Sequence, residues 1–203
     1  MKKINFNDRY GLTDAVIEGR KTMTRRLIPD EFFGLTWDTR GNTLVYENEY
    51  GDFIDVRLSK YTRYKDGEIV SVAQNYFSTY DESKWENGIW YNEFADGSDI
   101  TNHAGWINKM FVKAEYMPHQ IRITGSHCER LQDISDEDCI KEGVRVGSQA
   151  LEYPYYFIDA KQFLICDYKS PREAFAALID KVSGRGTWES NPWVVVYEFE
   201  LVK

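Results

Sequence analysis

The sequence predicts a folded protein of the α+β class, a mixed β-barrel or sandwich with a few helices. Strand-like segments clearly outnumber helix-like segments, turn signals are frequent, and strands and helices do not alternate regularly along the chain. Hydrophobic residues make up 42% and aromatic residues 15% of the 203 positions, which is too much for a disordered chain. The length suits one sizeable domain, or at most two small ones.

The first third of the chain contains one helix signal and three strand signals. A helix is predicted over Asp8–Glu18, where apolar residues recur at helical spacing and Gly19 follows as a stop. Thr43–Tyr46 and Phe53–Leu58 flank a short turn segment, and this pattern predicts a hairpin. Glu68–Ala73 alternates polar and apolar residues after an Asp-Gly turn, which predicts a further strand.

The middle of the chain contains an irregular segment followed by two predicted strands. Residues 77–106 are rich in Asp, Asn, Gly and Trp and have no clear periodicity. A segment of this length is either an ordered functional loop or an inserted excursion, and its tryptophans favour the ordered loop. Met110–Ala114 and His119–Thr124 are predicted as strands.

Two helices and a final strand are predicted in the last third. Ser135 precedes three acidic residues, which is typical of a helix start, and Gly143 ends this short helix. Ser170 followed by Pro171 marks a second start, after which apolar residues repeat at helical spacing. Val194–Leu201 begins fully apolar and ends alternating, as a half-buried strand does.

Composition narrows the partners and the cellular location. Lys and Arg number 25 against 33 Asp and Glu, so the net charge is −8, which argues against generic nucleic-acid coating but allows a local basic pocket. No apolar run is long enough to span a membrane, and no secretion signal is predicted. Three widely spaced cysteines favour a reducing cytoplasm. We expect no metal site, no cofactor and no membrane partner.

A dense group of cations follows the first predicted helix and is the leading candidate site. Four cations occupy seven positions of an otherwise acidic chain, namely Arg20, Lys21, Arg25 and Arg26. They predict either an anion or nucleotide site or a solvated strand edge. Thr22 and Thr24 add hydroxyls that can bind a phosphate or a base, or act as nucleophiles beside a base; β propensity alone also explains them.

Three further residues are weaker candidates. Glu142 lies at the end of the short helix, where the helix dipole disfavours a carboxylate and raises its pKa; the alternative is a surface glutamate. Gln74 and Asn75 follow a strand, where their amides either read the edge of a base or cap the strand. The sequence has no P-loop, no GxSxG, no HExxH and no dinucleotide-binding glycine motif.

Several blocks of the chain resemble one known family. Gly19–Arg26 reads Gly-Arg-Lys-Thr-Met-Thr-Arg-Arg and resembles the GxKTxTxR signature of ASCH-domain proteins, a branch of the PUA-like β-barrels. Residues 65–70, 129–144 and 188–194 continue the resemblance in the expected order, the last block matching a bacterial and prophage-borne subgroup. The resemblance implies one domain over 1–203, with elaborations near 34–60, 77–106 and 146–167.

The family implies a small PUA-like barrel with a cleft that recognises RNA or a modified nucleoside. The cleft would be lined by the signature segment and its neighbours, here Arg20, Thr22, Arg25, Arg26, Gln74 and Asn75. Some compact members are amidohydrolases that deacetylate N4-acetylcytidine, which would make Lys21 the base, Thr24 the nucleophile and Glu142 the acid/base.

Strand geometry sets a condition on that catalytic assignment. Lys21 and Thr24 point to opposite faces of a regular strand and converge only if the segment bends or bulges.

Beside nucleoside binding and amide hydrolysis, a third interpretation of the chain is a phage-associated protein-interaction module without catalysis.

Overall fold

The chain divides into two compact units. A computed structural model describes residues 1–28, 35–38, 43–59, 62–79, 99–147, 156–160 and 163–202. Unit 1 comprises Met1–Phe6, Ile69–Ile121 and Leu201–Lys203, and unit 2 comprises Asn7–Glu68 and Arg122–Glu200. The assignment of 1–203 to a single domain stays a prediction.

Eleven strands and four α-helices are present in the described residues. The strands are β1 (Lys2–Ile4), β2 (Met23–Leu27), β3 (Thr36–Asp38), β4 (Thr43–Glu47), β5 (Phe53–Asp55), β6 (Ile69–Val72), β7 (Gln120–Arg130), β8 (Arg145–Val146), β9 (Tyr156–Ala160), β10 (Phe163–Tyr168) and β11 (Trp193–Leu201). The helices are α1 (Leu12–Ile17), α2 (Asp136–Lys141), α3 (Pro171–Ser183) and α4 (Thr187–Ser190).

Unit 1 is built on a parallel strand pair. β1 pairs with β6 so that Ile4 lies opposite Val72, and both side chains are fully buried. A second buried cluster contains Ala73, Tyr76, Val112 and Met117. The predicted Glu68–Ala73 strand is confirmed, since β6 occupies most of it.

The predicted strand over Met110–Ala114 is wrong. Residues Lys109–Phe111 and Ala114–Tyr116 form 3-10 turns instead. The side chain of Asn108 accepts a hydrogen bond from the backbone N–H of Met110 and caps the first turn. The Lys3 ammonium donates to the carbonyls of Met110 and Val112, each at 2.7 Å, so these carbonyls are satisfied without a strand partner. These tertiary contacts override the local β propensity.

Unit 2 holds an antiparallel ladder and two small sheets. β2 pairs with β11 in an unbroken register from Met23 to Leu27. The small sheets have the orders β3-β4-β5 and β10-β9-β8. The predicted hairpin is confirmed by the β4–β5 pairing, although Val56–Leu58 forms a 3-10 turn and not the end of the second strand. These sheets lie in two of the predicted elaborations; the 77–106 elaboration falls largely outside the described residues.

The predicted helix starts of unit 2 are confirmed by their capping hydrogen bonds. The Ser135 side chain accepts from the N–H of Asp138, and the Ser170 side chain accepts from the N–H of Glu173. α3 buries its apolar face in a core shared with β2, β11 and α2, whose members are Met23, Leu131, Ile134, Cys139, Val144, Ala174, Phe175, Ile179, Val194 and Val196. The first predicted helix is also present, as a 3-10 turn over Asp8–Tyr10 followed by α1.

The α+β class is confirmed, whereas the closed barrel is not seen. The described residues form one five-stranded and two three-stranded sheets, and in none of them does the last strand pair with the first. Four α-helices accompany eleven strands in the described residues. Within the described ranges, no helix is both long enough and apolar enough to cross a membrane.

Candidate functional site

The basic segment connects the end of α1 to the start of β2. Gly19 has a φ of 72°, a left-handed conformation that ends the helix and favours glycine. The backbone N–H groups of Arg20 and Lys21 both donate to the carbonyl of Ala15, and the N–H of Thr22 donates to the carbonyl of Lys141. The segment is therefore fixed between the end of α1 and the end of α2 before it enters the ladder.

Lys21 and Glu142 form a buried ion pair, although 121 positions separate them. The Lys21 Nζ lies 2.5 Å from the Glu142 Oε2 and also donates to the Glu142 carbonyl at 2.7 Å. Only 1% of the Lys21 side chain and 6% of the Glu142 side chain are exposed. The interpretation of Glu142 as a surface glutamate is therefore wrong. From the end of α2, the Glu142 side chain points into the interior.

Gly143 permits the close approach of α1 to this pair. Its φ of 108° lies in the left-handed region, and a Cβ at this position would come within 3.0 Å of the Leu12 Cδ2. The same added atom would lie 3.8 Å from the Lys21 Cδ. A side chain at position 143 would thus strain the turn and press on Leu12, whereas its distance from the lysine stem is an ordinary van der Waals contact.

Arg25 extends the pair into a network of alternating charge. Its Nε donates to the Glu129 Oε1 at 2.7 Å, and its Nη1 lies 3.3 Å from the Glu142 Oε1. Its Nη2 lies 3.5 Å from the Asp138 Oδ2. Only 1% of the Arg25 side chain is exposed. We call Lys21, Arg25, Glu129, Asp138 and Glu142 the inner charge network. Arg25, which was predicted to bind a ligand, is therefore buried inside this network and does not lie on the surface.

Burial has opposite consequences for two members of the inner charge network. Burial lowers the pKa of Lys21, and the Glu142 carboxylate opposes this effect without reversing it. Burial alone would raise the pKa of Glu129, but hydrogen bonds from His127 and Arg25 and the Arg25 charge hold it below its ordinary value. The contacts with His127 and Arg25 therefore favour an ionised carboxylate at Glu129, whereas burial eases proton loss from Lys21.

Thr24 lies on the other face of β2. The register pairs Thr24 with Tyr197 and Arg25 with Val196, so the Thr24 and Arg25 side chains point to opposite sides of the ladder. The register from Met23 to Leu27 contains no bulge. Among the described residues, the Thr24 hydroxyl has no hydrogen bond to Lys21 or Glu142. Of the three predicted catalytic residues, the structure brings Lys21 and Glu142 into contact and leaves Thr24 apart from them.

The remaining predicted ligand-binding residues are dispersed. Thr22 and Arg26 are half-buried. Arg26 stands two residues after Thr24 in β2, so the two side chains point to the same face of the strand. Gln74 and Asn75 lie in unit 1 and make contacts within that unit. The Gln74 Oε1 lies 2.7 Å from the His119 Nδ1, and the Asn75 Oδ1 accepts from the N–H of Ser78. Asn75 therefore caps the 3-10 turn Phe77–Thr79, and not the end of the strand as predicted.

Arg20 lines a pocket in unit 2, beside the signature segment. The pocket has a volume of about 480 Å³ and is lined by Arg20, Ile140, Val144, Arg145, Val146 and Phe157. Sequence reasoning missed all of these residues except Arg20. Ile140 and Val144 fall in the block 129–144 that resembles the ASCH family, so the sequence does mark this side of the pocket. No sequence signal marks Phe157, which belongs to β9.

Two half-buried arginines define the chemistry of the pocket. Arg20 and Arg145 have 29% and 37% of their side chains exposed, and both approach the Glu18 Oε2, at 2.6 and 4.0 Å. The Arg145 guanidinium lies 5.9 Å from the centre of the Phe157 ring. The pocket therefore combines two cations, an aromatic ring and an aliphatic wall.

The described part of the chain holds no group of three or more His, Cys, Asp or Glu side chains arranged to bind a metal ion. Comparison of the chain with protein-family models, curated proteins and solved structures found no match.

Proposed function

We propose that this chain is a PUA-like ASCH-domain protein that binds a nucleoside, free or as part of RNA. The observation that carries the proposal is the pocket of Arg20, Arg145 and Phe157 beside the signature segment. A volume of about 480 Å³ lies within the range of small-ligand pockets, which is roughly 300–1,000 Å³.

The lining of the pocket matches the parts of a nucleotide. A base is flat and stacks on an aromatic ring or a guanidinium plane, and Phe157 and Arg145 offer both. Ile140, Val144 and Val146 provide apolar contact for the sugar. Arg20 and Arg145 can bind a phosphate through charge-assisted hydrogen bonds once Glu18 is displaced.

The net charge of the chain limits the footprint on RNA. A chain of net charge −8 repels a long polyanion everywhere except at local cationic sites. The pocket contributes two such cations, so binding should weaken with added salt, but less steeply than for a protein that contacts many phosphates.

Calorimetric titration with cytidine, N4-acetylcytidine and cytidine monophosphate tests the proposal. We expect Arg145→Ala to weaken binding of the monophosphate by about tenfold or more, since a charge-assisted hydrogen bond contributes about 1.5–3 kcal/mol. Arg122→Ala is the matched control, because Arg122 is an exposed arginine of the same unit that pairs with Glu200. Absence of binding by all three ligands, or equal loss in both variants, would overturn the proposal.

A second candidate is the amidohydrolase activity, and the Lys21–Glu142 pair favours it. A buried lysine of lowered pKa in contact with a carboxylate is a suitable proton acceptor and donor for amide hydrolysis. The ladder register argues against Thr24 as the nucleophile, because its side chain lies on the face of Tyr197.

Turnover of N4-acetylcytidine, followed by chromatography, decides between binding and hydrolysis. If the chain is an amidohydrolase, the wild type releases cytidine and Lys21→Met does not. Thr24→Val with unchanged release would remove Thr24 from the mechanism. A wild type that binds the nucleoside without releasing cytidine supports the binding function alone.

A further inference from the structure

Unit 2 contains a stack of planar side chains that the proposed pocket does not use. The rings of Trp37 and Trp193 lie parallel, with 5.6 Å between their centres and 4° between their planes. The Arg130 guanidinium lies 4.3 Å from the centre of the Trp193 ring. We call these three side chains the tryptophan stack.

Backbone pairing and side-chain contacts fix each member of the tryptophan stack. Trp37 lies in β3 opposite Leu44, and the carbonyl of Trp193 accepts from the N–H of Ile28. Arg130 ends β7 and donates through its Nη1 to the carbonyl of Asn191 at 3.2 Å. These anchors belong to strands and their ends, so the three side chains are in place before a ligand binds. Binding to the stack therefore costs little conformational entropy.

Trp37 remains accessible to a ligand. Trp193 covers one face of the Trp37 ring, yet 36% of Trp37 is exposed. With 5.6 Å between the centres of parallel rings the overlap is offset, so part of Trp37 stays open to solvent. A flat ligand can extend the stack there, since offset parallel rings attract one another.

The charge of the tryptophan stack favours a nucleotide over an uncharged aromatic ligand. Arg130 is exposed, and within the described residues its hydrogen bond goes to a neutral carbonyl and no carboxylate pairs with it. A cation without a counter-charge beside stacked indoles suits a ligand that carries both a ring and a phosphate.

We propose that Trp37 is a stacking platform for an unpaired base of single-stranded RNA, with Arg130 contacting a backbone phosphate elsewhere on the same strand. This inference rests on the proposed function and specifies its ligand as an RNA strand that reaches beyond one nucleoside. Duplexed bases present no free face and are excluded from such a platform.

Fluorescence anisotropy with a labelled single-stranded oligouridylate of twelve nucleotides tests the platform. We expect Trp37→Ala to weaken binding at least fivefold and Trp37→Phe to retain most of it, because phenylalanine preserves a stacking face. Tyr50→Ala is the matched control, since Tyr50 is an aromatic residue of the same unit with 81% exposure. Arg130→Gln should flatten the salt dependence of binding.

Three results would overturn the platform: no binding of oligouridylate by the wild type, equal affinity of Trp37→Ala and Tyr50→Ala, or equal affinity of the wild type for a duplex. Circular dichroism confirms that each variant is folded, and quenching of wild-type tryptophan fluorescence by oligouridylate provides a test without substitution.

Cytidine monophosphate separates this inference from the pocket. If the monophosphate binds and Trp37→Ala leaves oligouridylate binding intact, only the platform fails. If no mononucleotide binds but oligouridylate depends on Trp37, only the pocket fails.

Discussion

Two pairs of cations that lie close to one another in unit 2 have opposite environments. Lys21 and Arg25 belong to the inner charge network, where 1% of each side chain is exposed. Arg20 and Arg145 line the pocket with 29% and 37% exposed, and the one carboxylate within 4.0 Å of both among the described residues is Glu18. Burial, and not residue type, separates the pair in the interior from the pair that lines the pocket.

The physical difference between the pairs is the cost of desolvation. A buried ion that loses its partner remains uncompensated in a medium of low polarity, which costs about 3–5 kcal/mol. An exposed ion that loses its partner is solvated by water, and such pairs contribute about 0–1 kcal/mol. Substitutions in the two pairs should therefore differ several-fold in their effect on stability.

Glu142→Gln is expected to lower the stability of the fold more than any other substitution proposed here. This change removes the carboxylate that contacts both Lys21 and Arg25, so two buried cations lose a counter-charge. We expect the free energy of unfolding to fall by about 3–5 kcal/mol in urea titrations. Glu137→Gln is the matched control, because Glu137 belongs to the same helix and is exposed. Equal unfolding midpoints of the two variants would contradict the distinction between inner and outer charges.

A smaller effect is expected from Lys21→Met. Methionine fills the volume of the lysine stem without a charge, and Glu142 keeps Arg25 as its partner at 3.3 Å. We expect a loss of about 1–2 kcal/mol, which is clearly less than for Glu142→Gln. A loss as large as that of Glu142→Gln, measured in the same urea titration, would show that the network depends on Lys21 as much as on Glu142.

The pH dependence of stability sharpens the comparison further. Burial lowers the pKa of Lys21 in the folded state from the ordinary value of 10.5, so above the folded pKa the unfolded chain binds more protons at this position. The lysine contribution to stability therefore rises with pH up to the unfolded pKa, by at most about 1.4 kcal/mol per pH unit.

Subtracting the unfolding free energies of Lys21→Met from those of the wild type isolates this contribution from other titrating groups. The wild type should gain on the variant as the pH rises toward 10.5, the ordinary pKa of lysine. A constant difference over this range would show that the pKa of Lys21 is the same in the folded and unfolded chain.

The smallest effect on stability is expected from Glu18→Gln, at about 0–1 kcal/mol, because 53% of the Glu18 side chain is exposed. The same change removes a carboxylate that competes with a ligand phosphate for Arg20 and Arg145, so binding of cytidine monophosphate should tighten about threefold to tenfold at low salt. Unchanged affinity in calorimetric titration would show that Glu18 does not compete with the ligand.

Local signals predicted those elements whose ends are determined by the chain itself. Ser135 and Ser170 cap α2 and α3 through hydrogen bonds that span only three residues, so sequence reasoning placed both starts. The strand predicted at Met110–Ala114 was wrong because its carbonyls bind Lys3, more than one hundred positions away. A contact at that separation leaves no local pattern.

The candidate site was predictable only in part, for the same reason. The resemblance to the ASCH family selected Lys21 and Glu142, and the structure brings them together. It also selected Thr24, whose direction depends on the register with β11. Phe157 carried no signal, because its place in the pocket depends on the pairing of β9 with β8, in which Phe157 lies opposite Arg145.

The sequence by itself determined the α+β class, the helix starts and the position of the basic segment, since these follow from spacing, caps and composition within a few residues. Tertiary structure alone decided which cations of that segment are buried and which are exposed. Arg20 and Lys21 are adjacent and similarly charged, yet one lines a pocket and the other contacts Glu142 in the interior. Desolvation depends on what packs around a charge, and that packing comes from parts of the chain far away in sequence.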